Sequence, residues 1–286
     1  MKYILLEMRP KQWIKNFFVF AALIFDGNLF RAEFFIPTAE MFIAFCLVSS
    51  AVYFFNDLFD VEIDRLHQTK KLRPIASGAI SRRLACLCSI ILAALGLILS
   101  AAVNLQCLAL TSGYVILNVL YTVRLKHVVI LDIMSVAACF GLRAVGGAFA
   151  SSIQMTEWFM LCVMFLSLLM IIGKRRDELF QLSSNRIERG RKVLKFYSLE
   201  LLDQLMSITA SALVMCYCLF ALDPNTRNRV AMTFTVPLVL YGVLYYLYVV
   251  RIGHRGGAPD EILWRERPIL LTALIYFLFV IVARNQ

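Results

Sequence analysis

Residues Glu40–Pro74 read EMFIAFCLVSSAVYFFNDLFDVEIDRLHQTKKLRP. The part up to Phe55 is almost wholly apolar, while the part from Asn56 holds four acids and then a basic cluster. An apolar run close to the roughly 20 residues that a helix needs to cross hydrocarbon predicts a membrane span. This one delivers its charges to the membrane boundary.

The same plan repeats along the chain. Of 286 residues 60% are hydrophobic and only 17% charged, too few polar groups to cover one water-soluble core, so lipid is the expected solvent for most of the molecule. Nine apolar runs can be marked: Ile14–Phe30, Glu40–Phe55, Leu84–Val103, Leu105–Val123, Val128–Ala150, Trp158–Gly173, Leu205–Leu222, Val230–Val250 and Ile269–Val282. No Pro/Gly/Ser-rich linker or soluble block separates them, which predicts an all-α integral membrane protein with one membrane domain over residues 1–286.

Charge gives that topology a direction. The N-terminus and the loops after even-numbered runs carry 24 of the 29 Lys and Arg, and basic loops stay on the cytoplasmic side. The expectation is a multi-pass protein of the cytoplasmic (inner) membrane, N-terminus and long loops inside, C-terminus outside. The net charge of +10 then reads as attraction to anionic lipid headgroups, and nucleic acid is not an expected partner. The apolar opening lacks a small-residue cleavage site and reads as a retained first span. All eight Cys fall within the runs and read as small apolar residues. The three His are scattered over separate loops with no metal-ligand spacing.

Asp57, Asp60 and Asp64 are spaced three and four apart, so on a helix continuing from the second run they stack on one face, with Asn56 a turn before Asp60. Carboxylates crowded on one face repel unless a cation intervenes. Oxygen donors without His or Cys favour Mg²⁺, which shares its coordination between carboxylates and substrate phosphates. The basic run follows at once, and Lys70, Lys71 and Arg73 suit phosphate oxygens. In a soluble protein the same spacing is an ordinary solvated face. On a helix leaving lipid such charges are costly and usually functional.

The pattern NDxxDxxxD followed by KxxRP resembles the first acidic motif of the UbiA superfamily of intramembrane prenyltransferases, which are nine-span helical bundles. RPKQWIKN (9–16), LYTVRLKHVVILDI (120–133), FGLRAVGGAFA (140–150) and GKRRDEL (173–179) resemble one branch of it, the decaprenyl-phosphate phosphoribosyltransferases. The resemblance covers nearly the whole chain and implies a nine-transmembrane-helix bundle with cytoplasmic active-site loops. Ordinary members carry a second Asp-rich motif after the sixth span. Here Lys174, Arg175 and Arg176 stand in its place, leaving Asp177 and Glu178. A basic cluster there can bind phosphate directly.

The resemblance implies Mg²⁺-dependent transfer of the 5-phosphoribosyl group from phosphoribosyl diphosphate to a polyprenyl phosphate, with diphosphate released. Asp57, Asp60 and Asp64 are the expected catalytic and metal residues. Lys11, Lys15, Asn16, Asn56, Lys70, Arg73, Tyr121, Lys126, Arg143, Lys174, Arg175 and Glu178 are the expected substrate contacts. Trp13 is expected at the interface, and Asp132 near the pocket. Arg143 lies within the fifth run, where a guanidinium costs roughly 2.5 to 3.5 kcal/mol. It must face a polar cavity or partner, and the alternative to substrate contact is a structural role, with Gly141, Gly146 and Gly147 letting helices approach closely. Asp260 and Glu261 belong to a loop that could cap the site.

A rival enzyme reading moves a prenyl group from a prenyl diphosphate to an aromatic or other small acceptor. A second Asp motif would favour it, and that motif is missing here. A transporter reading predicts charges along a path near the midplane, whereas the charges gather at one face. The bilayer and the two substrates are the expected partners, and a homo-oligomer is compatible with the sequence.

Overall fold

Polar caps decide where the long helices begin. In the computed structural model, which describes residues 2–66, 69–184, 191–224, 226, 228–253, 256, 262 and 265–285, the Ser81 hydroxyl accepts from the Leu84 amide at 3.3 Å and the Asn104 side chain accepts from the Cys107 amide at 2.7 Å. Thr156 and Ser198 act likewise on Phe159 and Leu201. Each satisfies an amide that the first helical turn leaves unpaired. Asp260, Glu261, His67 and His254 lie outside the described residues.

In chain order the elements are α1 (Lys2–Glu7), a 3-10 segment (Pro10–Phe20), α2 (Ala21–Asp26), α3 (Ala32–Phe59), α4 (Val61–Arg65), α5 (Arg82–Val103), α6 (Leu105–Val123), α7 (Leu131–Ala150), α8 (Glu157–Ser183), α9 (Leu199–Leu222), α10 (Arg229–Thr233), α11 (Val236–Arg251) and α12 (Arg267–Asn285). The chain divides into two compact units. The first comprises Met1–Ala21, Phe30–Lys126 and Leu142–Ile153, and the second Ala22–Leu29, His127–Gly141 and Gln154–Gln286.

In the first unit α3 is the central helix, packed by the 3-10 segment, α5 and α6. Its buried residues include Met41, Phe45, Val48 and Phe54. Phe54 continues into a cluster with Val61, Ile75, Ile80 and Ala85 that fixes the chain after the acidic motif. A Cβ on Gly147 would lie 1.7 Å from the Val19 carbonyl oxygen, so only glycine permits that backbone approach. A Cβ on Gly146 would meet Phe45 and Met41, whereas one on Gly141 would meet nothing within 4 Å, so the expected close approach does not extend to Gly141. On α5 the side chains of Leu87, Ile91, Leu95 and Ile98 are exposed. Their spacing of four, four and three makes one apolar stripe, the face that hydrocarbon solvates.

In the second unit α8 packs on α9, and α11 packs on α9 and α12. Phe25 of α2 lies against Phe159 and Phe220, with ring centroids 4.9 and 5.8 Å away.

Seven helical stretches among the described residues are long and apolar enough to cross a membrane. They correspond to seven of the nine expected spans, and the chain is a multi-pass integral membrane protein. The first expected span, Ile14–Phe30, is instead a 3-10 segment running into the six residues of α2. At about 2.0 Å rise per residue the tighter winding gives eleven residues a reach of about 22 Å. The ninth lies in α12, where the described residues Arg267–Ala283 form a shorter apolar helix. The eighth is broken between α10 and α11, because Pro237 stands in the first turn of α11 and cannot continue a preceding helix. At that break the Thr235 and Tyr217 hydroxyls are hydrogen-bonded at 2.5 Å.

Candidate active site

α3 ends at Phe59 and α4 begins at Val61, with Asp60 between them at φ −94° and ψ 6°. Backbone bonds from the Asp60 amide to the Asn56 carbonyl (2.9 Å) and from the Asp64 amide to the Asp60 carbonyl (2.8 Å) carry the helical register across the junction. The three aspartates therefore keep the expected spacing, but they do not share one environment. Asp57 and Asp64 are buried, and the Asp60 side chain is one-fifth exposed.

Cations do intervene between the carboxylates, and they are side chains. Arg73 Nη1 lies 3.0 Å from Asp57 Oδ1 and 2.6 Å from Asp64 Oδ2. Arg9 is paired with the other Asp57 oxygen, and its guanidinium sits 5.0 Å from the Tyr53 ring centroid. Lys126 Nζ binds both oxygens of Asp60 at 2.6 and 2.9 Å. Burial holds the Asp64 carboxyl above the usual range against the pull of Arg73. No group of three metal-ligating side chains comes together among the described residues.

Asn56 bridges outward: its Nδ2 donates to Asp57 Oδ1 at 3.5 Å and its Oδ1 accepts from the Thr122 hydroxyl at 3.3 Å. Lys70 adds positive charge toward Asp64. Tyr121, next to Thr122 at the end of α6, is half-buried. On the 3-10 segment Lys11 is exposed, Lys15 donates to Gln12, and Trp13 donates to the Ser50 hydroxyl of α3 at 3.1 Å. Trp13 thus ties the N-terminal motif to the helix that bears Asp57.

Asn16 and Arg143 hold each other inside the first unit. Arg143 Nε donates to Asn16 Oδ1 at 2.7 Å and Nη2 donates to the Tyr114 hydroxyl at 2.8 Å, with the guanidinium 4.7 Å from the Tyr114 ring centroid. Both residues are buried. These partners account for a guanidinium inside a span.

Two residues of the first unit were not singled out from sequence. Arg9 enters there only as an N-terminal cation and as the first residue of RPKQWIKN, with no role assigned, and Glu7 not at all. Glu7 is buried, and no N–H or hydroxyl reaches either of its carboxyl oxygens. Burial, then a hydrogen bond shared with the Asp57 carboxyl and that group's charge, opposed by Arg9 and Arg73, push its pKa up to about 8. A cavity of about 250 Å³ opens beside Glu7, Arg9, Thr69, Leu72 and Arg73. Glu7 is the one acid among the first 25 residues, a signal that could have marked it.

In the second unit GKRRDEL lies on α8, with Arg175 and Arg176 buried rather than displayed. Arg175 Nε donates to Asp132 Oδ2 at 2.8 Å and Nη1 to Glu178 Oε2 at 3.1 Å. The Tyr197 hydroxyl donates to Asp132 Oδ1 at 2.7 Å and accepts from the Ile130 amide at 2.7 Å. Arg176 Nε pairs with Asp203 at 2.7 Å, and its Nη1 donates to the Val250 carbonyl at 2.9 Å. Lys174 is half-buried. The second cluster is therefore braced by carboxylates from other helices.

Residues 17–262, bearing the acidic motif and the second cluster, match the UbiA prenyltransferase family. The chain belongs to that family. As a UbiA-family protein it is 33% identical over 281 residues to the decaprenyl-phosphate phosphoribosyltransferase of Mycolicibacterium smegmatis, covering 94% of this chain and 88% of the relative. It is 35% identical over 284 residues to that of Corynebacterium glutamicum, covering 96% and 85%. Among solved structures, a UbiA homolog from Archaeoglobus fulgidus bound to GPP and Mg2+ superposes with a TM-score of 0.75 at 19% identity, covering 99% of this chain and all of the other. The UbiA fold is thereby established, with the acidic motif at the end of α3.

Proposed function

We propose that the protein transfers the 5-phosphoribosyl group of phosphoribosyl diphosphate to a polyprenyl phosphate, as one transferase domain of the inner membrane with its acidic motif on the cytoplasmic side. The observation that carries this reading is identity of 33–35% across nearly the full chain to relatives named for that activity.

The donor set suits Mg²⁺. Asp57, Asp60 and Asp64 offer oxygen alone, the donor atom Mg²⁺ prefers, and each would exchange its Arg9, Arg73 or Lys126 partner for the ion. These carboxylates would hold the ion. When bound, Mg²⁺ offsets charge that develops on the departing diphosphate.

The rest is done by side chains. Arg73, Arg9 and Lys126 are the cations that can exchange a carboxylate for a diphosphate oxygen, and the planar guanidinium suits two oxygens at once. Lys70 and Lys11 add charge for the 5-phosphate. In the second cluster we assign phosphate contact to Lys174, with Arg175 and Glu178 fixing its segment.

Cleavage of the anomeric C–O bond leaves an oxocarbenium-like carbon. An acceptor phosphate oxygen forms the new bond as the electron pair of the old one leaves with diphosphate, and a single displacement inverts the anomeric carbon. The phosphate monoester is anionic near neutral pH, its second pKa being about 6, so no protein general base is needed.

Incubation of the purified protein with labelled phosphoribosyl diphosphate or labelled prenyl diphosphate, each with Mg²⁺ and polyprenyl phosphate, tests the reading. Consumption of the phosphoribosyl donor alone is expected. Consumption of the prenyl donor with the other untouched would overturn it.

A further inference from the structure

A cavity of about 470 Å³ lies between α9 and α11 in the second unit. Ser207, Ser211 and Val214 line it from α9 at spacings of four and three, and Leu240, Leu244 and Leu247 line it from α11 in the same rhythm, so each helix gives it one face. Both helices belong to stretches long and apolar enough to cross a membrane. The exposed side chains of Ser211, Leu240 and Leu244 therefore meet lipid, and the groove opens on the bilayer.

Hydrocarbon alone selects nothing there, because lipid tails are as apolar as leucine. The selection lies at one end. Arg251 stands four residues beyond Leu247 on the same face of α11, and its Nη2 donates to the Ser207 hydroxyl at 2.6 Å and to the Asp203 carbonyl. Its Nε lies 3.2 Å from Asp203 Oδ1, the oxygen that Arg176 Nε already binds at 2.7 Å. Two guanidiniums thus share one carboxylate, which leaves positive charge in excess where an apolar groove begins. The Arg251 side chain is still 34% exposed, open to an anion.

Depth orders the remaining chemistry. Ser207 and Arg251 mark the charged end, Ser211 sets a hydroxyl about 6 Å further along at 1.5 Å per residue, and Val214, Met215 and Leu240 line the part beyond. Cation, hydroxyl, then hydrocarbon is the order in which a glycerophospholipid presents its phosphate, its ester carbonyls and its acyl chain. A polyprenyl phosphate has no ester to offer the hydroxyl. We propose that this groove binds one anionic glycerophospholipid of the surrounding membrane, with its phosphate at Arg251 and one acyl chain along the cleft between α9 and α11. Basic pockets between spans are suited to such headgroups, and the proposal does not depend on the transfer reaction.

Native mass spectrometry of the purified, delipidated full chain tests this, with phosphatidylglycerol, phosphatidylcholine of the same acyl chains and a polyprenyl phosphate added in turn. Ser211→Trp fills the groove from an exposed position, so its lipid-free melting temperature should match the wild type's. Arg251→Gln removes the charge and keeps a donor for Ser207. One phosphatidylglycerol should be retained at least about fivefold more tightly than phosphatidylcholine, the scale of one basic side chain acting on an anionic lipid. Ser211→Trp should abolish that retention, and Arg251→Gln should erase the preference between the two headgroups. Equal retention of the two phospholipids by the wild type, or phosphatidylglycerol binding that Ser211→Trp leaves unchanged, overturns the proposal. Displacement of phosphatidylglycerol by an equal concentration of polyprenyl phosphate overturns it in favour of the acceptor. A dimer that Ser211→Trp splits, with lipid retention unaltered, overturns it in favour of a second copy of the chain.

Discussion

Arg73 Nη1 lies 3.0 Å from Asp57 Oδ1, across 16 residues of sequence, and 2.6 Å from Asp64 of the next short helix. One guanidinium thus joins the end of α3 to α4 and holds together two acids that would otherwise repel. The arrangement makes Arg73 both a strut between α3 and α4 and a cation close to where diphosphate is expected.

Arg73→Ala therefore removes a strut. Breaking a buried ion pair from one side costs about 3 to 5 kcal/mol. The Arg73 side chain is 26% exposed, so solvent screening brings the cost below that scale, to about 2 to 3 kcal/mol. Thermal melting in detergent should fall accordingly, and Mg²⁺ should restore more of the loss than it adds to the wild type, because Asp64 has lost its cation and Asp57 keeps only Arg9. A Mg²⁺ response equal to the wild type's would contradict the shared role.

Asp57→Asn and Asp60→Asn should each reduce diphosphate release at least about a hundredfold, the scale of losing one charge-stabilising group at a transition state. The structural cost should differ. Asp60 is partly exposed and paired to Lys126, so its variant should melt close to the wild type. Near-normal turnover in either variant would remove the aspartates from the reaction.

Arg143 is expected to act on stability and not on substrate. Arg143→Met strands the Asn16 carbonyl and the Tyr114 hydroxyl in the first unit, at about 2 kcal/mol, while the folded fraction keeps the wild-type KM for phosphoribosyl diphosphate. A tenfold rise in KM at unchanged melting temperature would make it a substrate contact instead.

Tyr197 gives the second unit a pH dependence. Burial, and the bond donated to Asp132 beside that carboxylate's charge, raise the phenol above its usual range, against the Ile130 amide and Arg175. A raised folded pKa means stability that is complete below the unfolded value, about 10, and lost as pH climbs toward the folded one. Alkaline melting curves should show that loss. Tyr197→Phe should remove the alkaline step and cost about 1 kcal/mol at neutral pH.

The acidic motif was legible because its signals are local. Asp57, Asp60 and Asp64 repeat at helical spacing directly after an apolar run, and the fourth run begins where the Asn104 cap starts α6. What stayed hidden depends on distant partners. Nothing in the spacing of GKRRDEL says that Arg175 turns to Asp132 or Arg176 to Asp203, 43 and 27 residues away, so a cluster that reads as displayed charge is in large part internal bracing. The winding of the first expected span was hidden for a related reason. Its apolar composition fits an α-helix, but the winding is fixed by tertiary anchors: Trp13 on Ser50, Asn16 on Arg143, and Val19 against Gly147.

The central claim is that the acidic motif serves phosphoribosyl transfer to a lipid phosphate. Mass spectrometry of the lipid formed by purified protein from phosphoribosyl diphosphate, Mg²⁺ and one defined polyprenyl phosphate tests it most directly. A product heavier than the acceptor by a single phosphoribosyl unit, absent with Asp57→Asn, is the predicted result. An acceptor of unchanged mass, with the same preparation prenylating a small acceptor from a prenyl diphosphate, would contradict it.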